Sequence, residues 1–194
     1  MERALEWALA NAVDPLDPEL IEIVREQLLQ LSEAQRRTWV LNISLAHHPD
    51  LLRHLCSESL REAGNDRHRS LALAELACQV ADGSASQVAP CVAVDLTTEA
   101  RIVRANALRV LGDHDAAALL WEEVDEGLRQ GSGDALLWAQ RDWLKACFLK
   151  DRRKLDDAAL LAQRSARRYQ ELNHLEEALR SRLTLSAILY ERGV

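Results

Sequence analysis

Residues 105–117 read Ala105-Asn106-Ala107-Leu108-Arg109-Val110-Leu111-Gly112-Asp113-His114-Asp115-Ala116-Ala117. This is the end of one helix, a tight turn and the start of another. Gly112 tolerates the positive φ that stops a helix. Asp113 follows it in the turn. Ala105 and Ala117 are small, so two helix backbones can approach closely where they cross. Trp121, one turn beyond Ala117, places a large apolar side chain in the same seam.

The order of residues returns further along the chain. Ala146, Leu149, Arg153 (at the turn-glycine place), Leu155 and Ala158 form a second copy, and Ser186, Leu189 and Gly193 form a third. The small residues Ala105, Ala146 and Ser186 are 41 and 40 apart. A fainter copy covers residues 50–82, with Asn65-Asp66 at the turn and Ala74 and Ala77 on its second helix. A hairpin that recurs at fixed spacing cannot bury its apolar face alone, and stacking on a neighbour solves this.

Composition agrees with an all-helical chain. Of 194 residues, 35 are Leu and 29 are Ala, both strong helix formers, against only 7 Gly and 4 Pro. Asp14-Pro15 closes a first expected helix over residues 2–12. Asp17-Pro18 opens a second, with Leu20, Ile21, Val24, Leu28 and Leu31 on one face. Ser32-Glu33-Ala34-Gln35 is a capping box for a third, carrying Trp39, Val40 and Ile43 and stopping before Pro49. Others are expected over 50–63 (with Gly64 as a left-handed stop), from Asn65-Asp66 to near Gly83, and over 90–111, 114–130, 135–150, 155–172 and 174–192. That makes about ten helices.

The turn segments resemble those of the tetratricopeptide repeat (TPR) family. In that family a small residue marks the helix crossing, a large apolar residue follows three later, and Gly-Asp marks the turn. Ala105, Leu108, Gly112-Asp113 and Ala117 fill those places. The resemblance implies an α-solenoid of antiparallel hairpins over residues 49–194, as one continuous run, preceded by an N-terminal helical segment, 1–48. The spacing here exceeds the usual ~34 residues, so the helices are longer. The resemblance also implies a concave groove lined by Asn106, Arg109, Gln140, Trp143, Lys150, Arg180 and Tyr190, where family members hold peptides or partner helices. Asn106 matches a place where clamp-type members hold a peptide backbone, but the other clamp positions do not match. Ala105, Gly112, Ala117, Trp121, Ala146, Ala158 and Ser186 are then the repeat-packing residues.

The bulk numbers exclude several classes. No apolar run approaches the ~18 residues of a membrane span. The start, Met1-Glu2-Arg3-Ala4-Leu5-Glu6, lacks the pattern of a secretory signal. Cys56, Cys78, Cys91 and Cys147 form no C-x-x-C pair and read as reduced thiols, which points to the cytoplasm. A net charge of −7 argues against nucleic acid. The charge is uneven: residues 1–140 hold 12 Lys and Arg against 23 Asp and Glu, residues 141–194 hold 12 against 8. Within the basic end, Arg164, Arg167 and Arg168 share a helix face and form a stripe that would suit RNA or another polyanion.

Catalytic signatures are missing. There is no phosphate loop, dinucleotide fingerprint, nucleophile elbow or H-E-x-x-H. His47-His48 with His54 and Cys56 is the one cluster with metal-ligand chemistry, yet His54 and Cys56 diverge around a helix by about 200°. The acidic pairs Glu122-Glu123, Asp125-Glu126, Asp156-Asp157 and Glu176-Glu177 do not converge, because adjacent helical residues point apart. No metal or cofactor is expected. The sequence therefore reads as a non-catalytic protein- or peptide-binding scaffold or adaptor. A regulatory or sensor subunit of a larger bacterial signalling or effector system is the alternative. The final helix should expose Leu175, Leu179, Leu183 and Ile188 unless a second copy or a continuation of the chain covers residues 174–192.

Overall fold

The computed structural model describes residues 17–42, 48–85 and 88–193. Among them lie nine helices and no strand: α1 Pro18–Gln30, α2 Glu33–Asn42, α3 Pro49–Glu62, α4 Arg67–Ser84, α5 Pro90–Leu111, α6 His114–Gln130, α7 Ala135–Asp151, α8 Leu155–Glu171 and α9 Leu175–Arg192. The helix expected over residues 2–12 lies outside the described residues, as does Ile43. The protein is all-α, with consecutive helices packed in pairs.

Local chemistry sets the helix ends. Asp17, Asp66, Asp113 and Asp134 each accept from a backbone N–H of the first turn that follows, Asp113 from Ala116 at 3.0 Å and Asp134 from Leu136 at 2.8 Å. Ser32 and Gln35 close the capping box, with the Ser32 N–H donating to Gln35 Oε1 at 2.9 Å. The helix exits repeat as well. The N–H of Asp113 donates to the Leu108 carbonyl at 3.0 Å, and the N–H of Lys154 to the Leu149 carbonyl at 2.9 Å. This is one six-residue C-terminal motif, and it occurs a third time at the end of α8, where the N–H of His174 donates to the Tyr169 carbonyl at 2.8 Å. Its left-handed residue is Gly112 (φ 96°), Arg153 (φ 59°) and Asn173 (φ 61°) in turn. Arg153 adopts the backbone of a turn glycine although it carries a side chain. Gly64 does not act as the expected left-handed stop. The chain leaves α3 through a right-handed turn in which the Asn65 and Asp66 N–H groups both reach the Glu62 carbonyl at 2.9 Å.

The chain divides into two compact units, the first ending at Ser132 and the second beginning at Gly133. Ile21, Val24, Leu28 and Val40 bury themselves in the same cluster as Leu51, Leu55, Leu73, Leu76 and Val103. An amphipathic helix goes where its apolar stripe is covered, and the stripe of α1 is covered by the helices that follow.

In the first unit, α3 and α4 approach closely. Ser59 and Ser70 are buried, and each hydroxyl donates to the other residue's carbonyl at 2.8 Å. Between α5 and α6 the approach rests on Gly127, where an added Cβ would stand 2.2 Å from Thr98 Oγ1. Ala105, Ala117 and Trp121 are buried here. In the second unit, α7, α8 and α9 pack in order. Ala139, Ser165 and Ser181 have no exposed surface. Ser165 Oγ donates to the Ala139 carbonyl at 2.8 Å and lies 3.0 Å from Ser181 Oγ. Ala146 and Ala158 are buried in a cluster with Leu161, Ala162 and Ile188.

Two expectations for α9 need correction. Ser186 is exposed, and Ile188, expected on the exposed face, is fully buried. The face of α9 that meets its neighbours carries Ala178, Ser181 and Ile188.

Candidate functional site

The second unit contains the groups with the most distinctive arrangement. Trp138 and Trp143 lie on α7, about 140° apart around the helix, so they meet different neighbours. Trp143 is half-buried, and its Nε1 donates to Thr184 Oγ1 on α9 at 3.1 Å. Its ring packs against the cluster of Ala139, Tyr169 and Ala178. Trp143 is thus bound into the α7–α9 seam rather than presented as a free groove side chain.

Trp138 faces arginines. The guanidinium carbons of Arg141 and Arg168 lie 5.7 and 5.6 Å from its ring centroid, within cation–π range. Both arginines also reach Asp142, whose carboxylate is fully buried. Arg141 donates to Oδ1 at 2.6 Å, Arg168 donates to Oδ2 at 2.5 Å, and a nitrogen of Arg164 lies 3.1 Å from Oδ2. A buried carboxylate requires such partners, since an unpaired one would be costly. Three guanidiniums converge on one carboxylate.

The expected basic stripe is therefore divided. Arg164 and Arg168 turn inward to Asp142, across 22 and 26 residues of chain. Arg167 stays at the surface and pairs with Glu171 at 3.3 Å. Sequence reading found the arginines but missed Asp142, an ordinary acid in a helix of mixed polarity. The available signal was a lone Asp on the α7 face between Ala139 and Ala146, where apolar residues are expected.

The other groove residues are spread over both units. In the first, buried Asn106 accepts from Arg109 Nε at 3.1 Å and Nη2 at 3.0 Å. In the second, Gln140 is half-buried, Lys150 lies 3.6 Å from Glu191, and Arg180 pairs with Glu176 at 2.6 Å. Arg153 also reaches Glu191, at 2.8 Å. Tyr190 is 84% exposed.

The outer face of α9 is apolar. Leu175, Leu179 and Leu183 are 69%, 57% and 63% exposed, spaced one turn apart along one stripe that Tyr190 extends. The opposite face holds Ala178, Ser181 and Ile188, so α9 has apolar or small residues on two sides.

Reactive chemistry is held back in the groups that show a shift. Burial pushes the Cys56 thiol well up and the Cys78 thiol up to about 11, which disfavours the nucleophilic thiolate. Burial also raises the Tyr169 phenol. Among the described residues the members of the histidine cluster are not grouped as metal ligands. His48 Nδ1 accepts from the Asp50 N–H at 3.2 Å, His54 Nε2 lies 3.3 Å from Glu22, and Cys56 is in the core. His47 lies outside the described residues. Among the described residues no three His, Cys, Asp or Glu side chains are grouped to hold a metal, and no helix is long and apolar enough to cross a membrane.

Comparison with family models, curated proteins and solved structures finds no match to this chain.

Proposed function

We propose that this chain is a non-catalytic protein-binding module built of TPR-like helical hairpins, and that its second unit docks a protein partner on the outer face of α9. The observation that carries this reading is the line Leu175, Leu179, Leu183 and Tyr190, exposed on a helix whose other face is already packed. A contiguous apolar stripe in water is a cost unless something covers it. Leucines one turn apart suit an amphipathic partner helix laid along them, with Tyr190 as an aromatic anchor at one end. Arg180 beside the stripe is paired with Glu176. Free thiols at all four cysteines suit a reducing cytoplasm.

The test is Leu179→Glu with Leu183→Glu. Both side chains are mainly exposed, so folding should be retained. Each would bury more than half of its surface on docking, worth about 1–2 kcal/mol. The pair should weaken capture of a co-purifying protein by roughly 30- to 1000-fold. Unchanged capture would remove α9 as the docking face. Light scattering on the purified protein separates a foreign partner from a second copy: a dimer that the two substitutions convert to monomer identifies the partner as this chain itself.

A further inference from the structure

We propose that the outer face of α9 is the seat for the second helix of a hairpin, and that another protein supplies that helix with the chemistry of α6 and α8. This rests on the reading of α9 as a docking face and adds what the docked helix must carry.

Register is the first argument. The spacing of 41 and 40 residues aligns α9 with α5 and α7 position by position. The turns agree: Gly112, Arg153 and Gly193 all take positive φ, at 96°, 59° and 85°. The packed faces of α5 and α9 agree too. Ala100, Val103 and Ala107 of α5 lie in one buried cluster with residues of α3 and α4. Ser181, Thr184 and Ile188 stand at the same places on α9. Ser181 and Ile188 are buried, and Thr184 accepts from Trp143 of α7.

The opposite face is where α9 departs. On α5 and α7 this face is the seam of the hairpin. Gly127 of α6 closes on Thr98 so tightly that an added Cβ would overlap its hydroxyl. The Ala139 carbonyl accepts from Ser165 of α8, and Ala146 is buried with Ala158 and Leu161. Leu179 and Ser186 hold the matching places on α9, and both are exposed. Leu183 is 63% exposed where α5 carries the wholly buried Ile102.

The two filled seams state the chemistry of the occupant. Ala117, Leu120 and Val124 of α6 match Ala158, Leu161 and Ser165 of α8, and all six are buried. The fitting helix therefore carries a small residue, a leucine three later, and a small or β-branched residue four beyond that. Small residues let two helix backbones approach closely, and Ser186 keeps the α9 side of the crossing small. Leu179 and Leu183 supply the apolar area. In this chain both helices with the pattern bury it inside their own hairpins, so a second copy could offer it only by opening one. The occupant is a helix of a different protein.

The probe is a synthetic peptide of residues 113–130, the α6 sequence with its capping aspartate. A hydrocarbon staple between positions 122 and 126 holds it helical. Both positions are exposed and one turn apart, so the staple lies off the buried face. A helix fixed in advance loses less entropy on binding. Anisotropy of a dye on the peptide reports binding to the full chain. Saturable binding is expected. Ser186→Phe in the protein should weaken it about tenfold or more, as should Ala117→Leu in the peptide, because each puts bulk into a close crossing. Leu183→Glu should weaken it similarly, and Arg167→Gln, on α8, should leave it unchanged. Ser186, Leu183 and Arg167 are all exposed, so these variants keep the fold, and a circular-dichroism melt of each checks this.

No saturable binding would overturn the seat. Binding lost in Leu183→Glu but unchanged or tighter in Ser186→Phe would also overturn it, while leaving α9 a docking face of another kind. Binding indifferent to Leu183→Glu would remove both readings. A dimer in light scattering that Ser186→Phe dissociates would overturn the foreign helix and give the seat to a second copy.

Discussion

Asp142→Asn is the sharpest perturbation of the second unit, because it removes one charge and almost no volume. The carboxylate has no exposed surface and meets three guanidiniums within 3.1 Å. Breaking a buried pair by deleting one partner typically costs about 3–5 kcal/mol, because a buried charge is left uncompensated. That range must be reduced here. Arg164 and Arg168 reach solvent and can rehydrate, and Arg141, at 11% exposed, stays mostly buried but has a further partner besides Asp142. The expected loss is therefore about 2–3 kcal/mol. Native-state hydrogen exchange suits the measurement, because the two compact units need not unfold together. The most protected amides of α7, α8 and α9 should exchange roughly 30- to 150-fold faster, while those of α3 and α4 keep their rates. Acceleration below about fivefold, under ~1 kcal/mol, would show that Asp142 does not anchor the arginines. A cycle with Arg141→Gln should give a coupling of about 1–3 kcal/mol if the two act as one unit.

Gly127→Ala tests the close approach of α5 and α6. Helix propensity alone favours Ala by about 1 kcal/mol, but the new methyl would overlap buried Thr98, whose Oγ1 donates to the Val94 carbonyl at 2.7 Å. A net loss of about 1–3 kcal/mol is expected in urea unfolding, with partial rescue by Thr98→Ala. A stabilised Gly127→Ala would mean that the helices are not in contact there. Acid tests the first unit. The Arg61 hydrogen bond, aided by the charges of Arg61 and Arg25, holds the Glu58 carboxyl below its ordinary 4.5. A carboxyl depressed in the folded state contributes stability above its unfolded value, and that contribution is lost as pH falls through the folded value. Unfolding free energy should drop as pH falls below the ordinary carboxyl value of 4.5 and through the lower folded value, and Glu58→Gln should flatten that drop. An unchanged slope in the variant would remove Glu58 from the acid response.

Helix ends were legible because their chemistry is short-ranged. A cap, a turn glycine or a proline acts within six residues, so reading along the chain places α5 and α6 at their observed bounds. The 41-residue spacing even anticipated that Arg153 would occupy a turn-glycine position, where it adopts φ 59°. The helix exit there is formed by backbone hydrogen bonds, as it is after α5 and α8, and these do not depend on the side chain. The exposed leucines of α9 were legible for a related reason, since helical spacing alone puts Leu175, Leu179 and Leu183 on one stripe.

The candidate sites depended on contacts that no local pattern encodes. Trp143 reaches Thr184 across 41 residues, and Asp142 gathers Arg164 and Arg168 from the next helix. Charge patterning along α8 gives three arginines on one side, but whether each meets water or an acid is decided by what α7 places opposite. Ser186 and Ser181 show the same division. Both are small residues on α9, yet Ser181 is buried against Ser165 while Ser186 is exposed. Sequence by itself determined which segments are helical and where they stop, because backbone hydrogen bonds and caps close within a turn. Tertiary structure alone decided which side of each helix is covered, and with it which charges are paired and which apolar faces stay open, because burial depends on a neighbour tens of residues away.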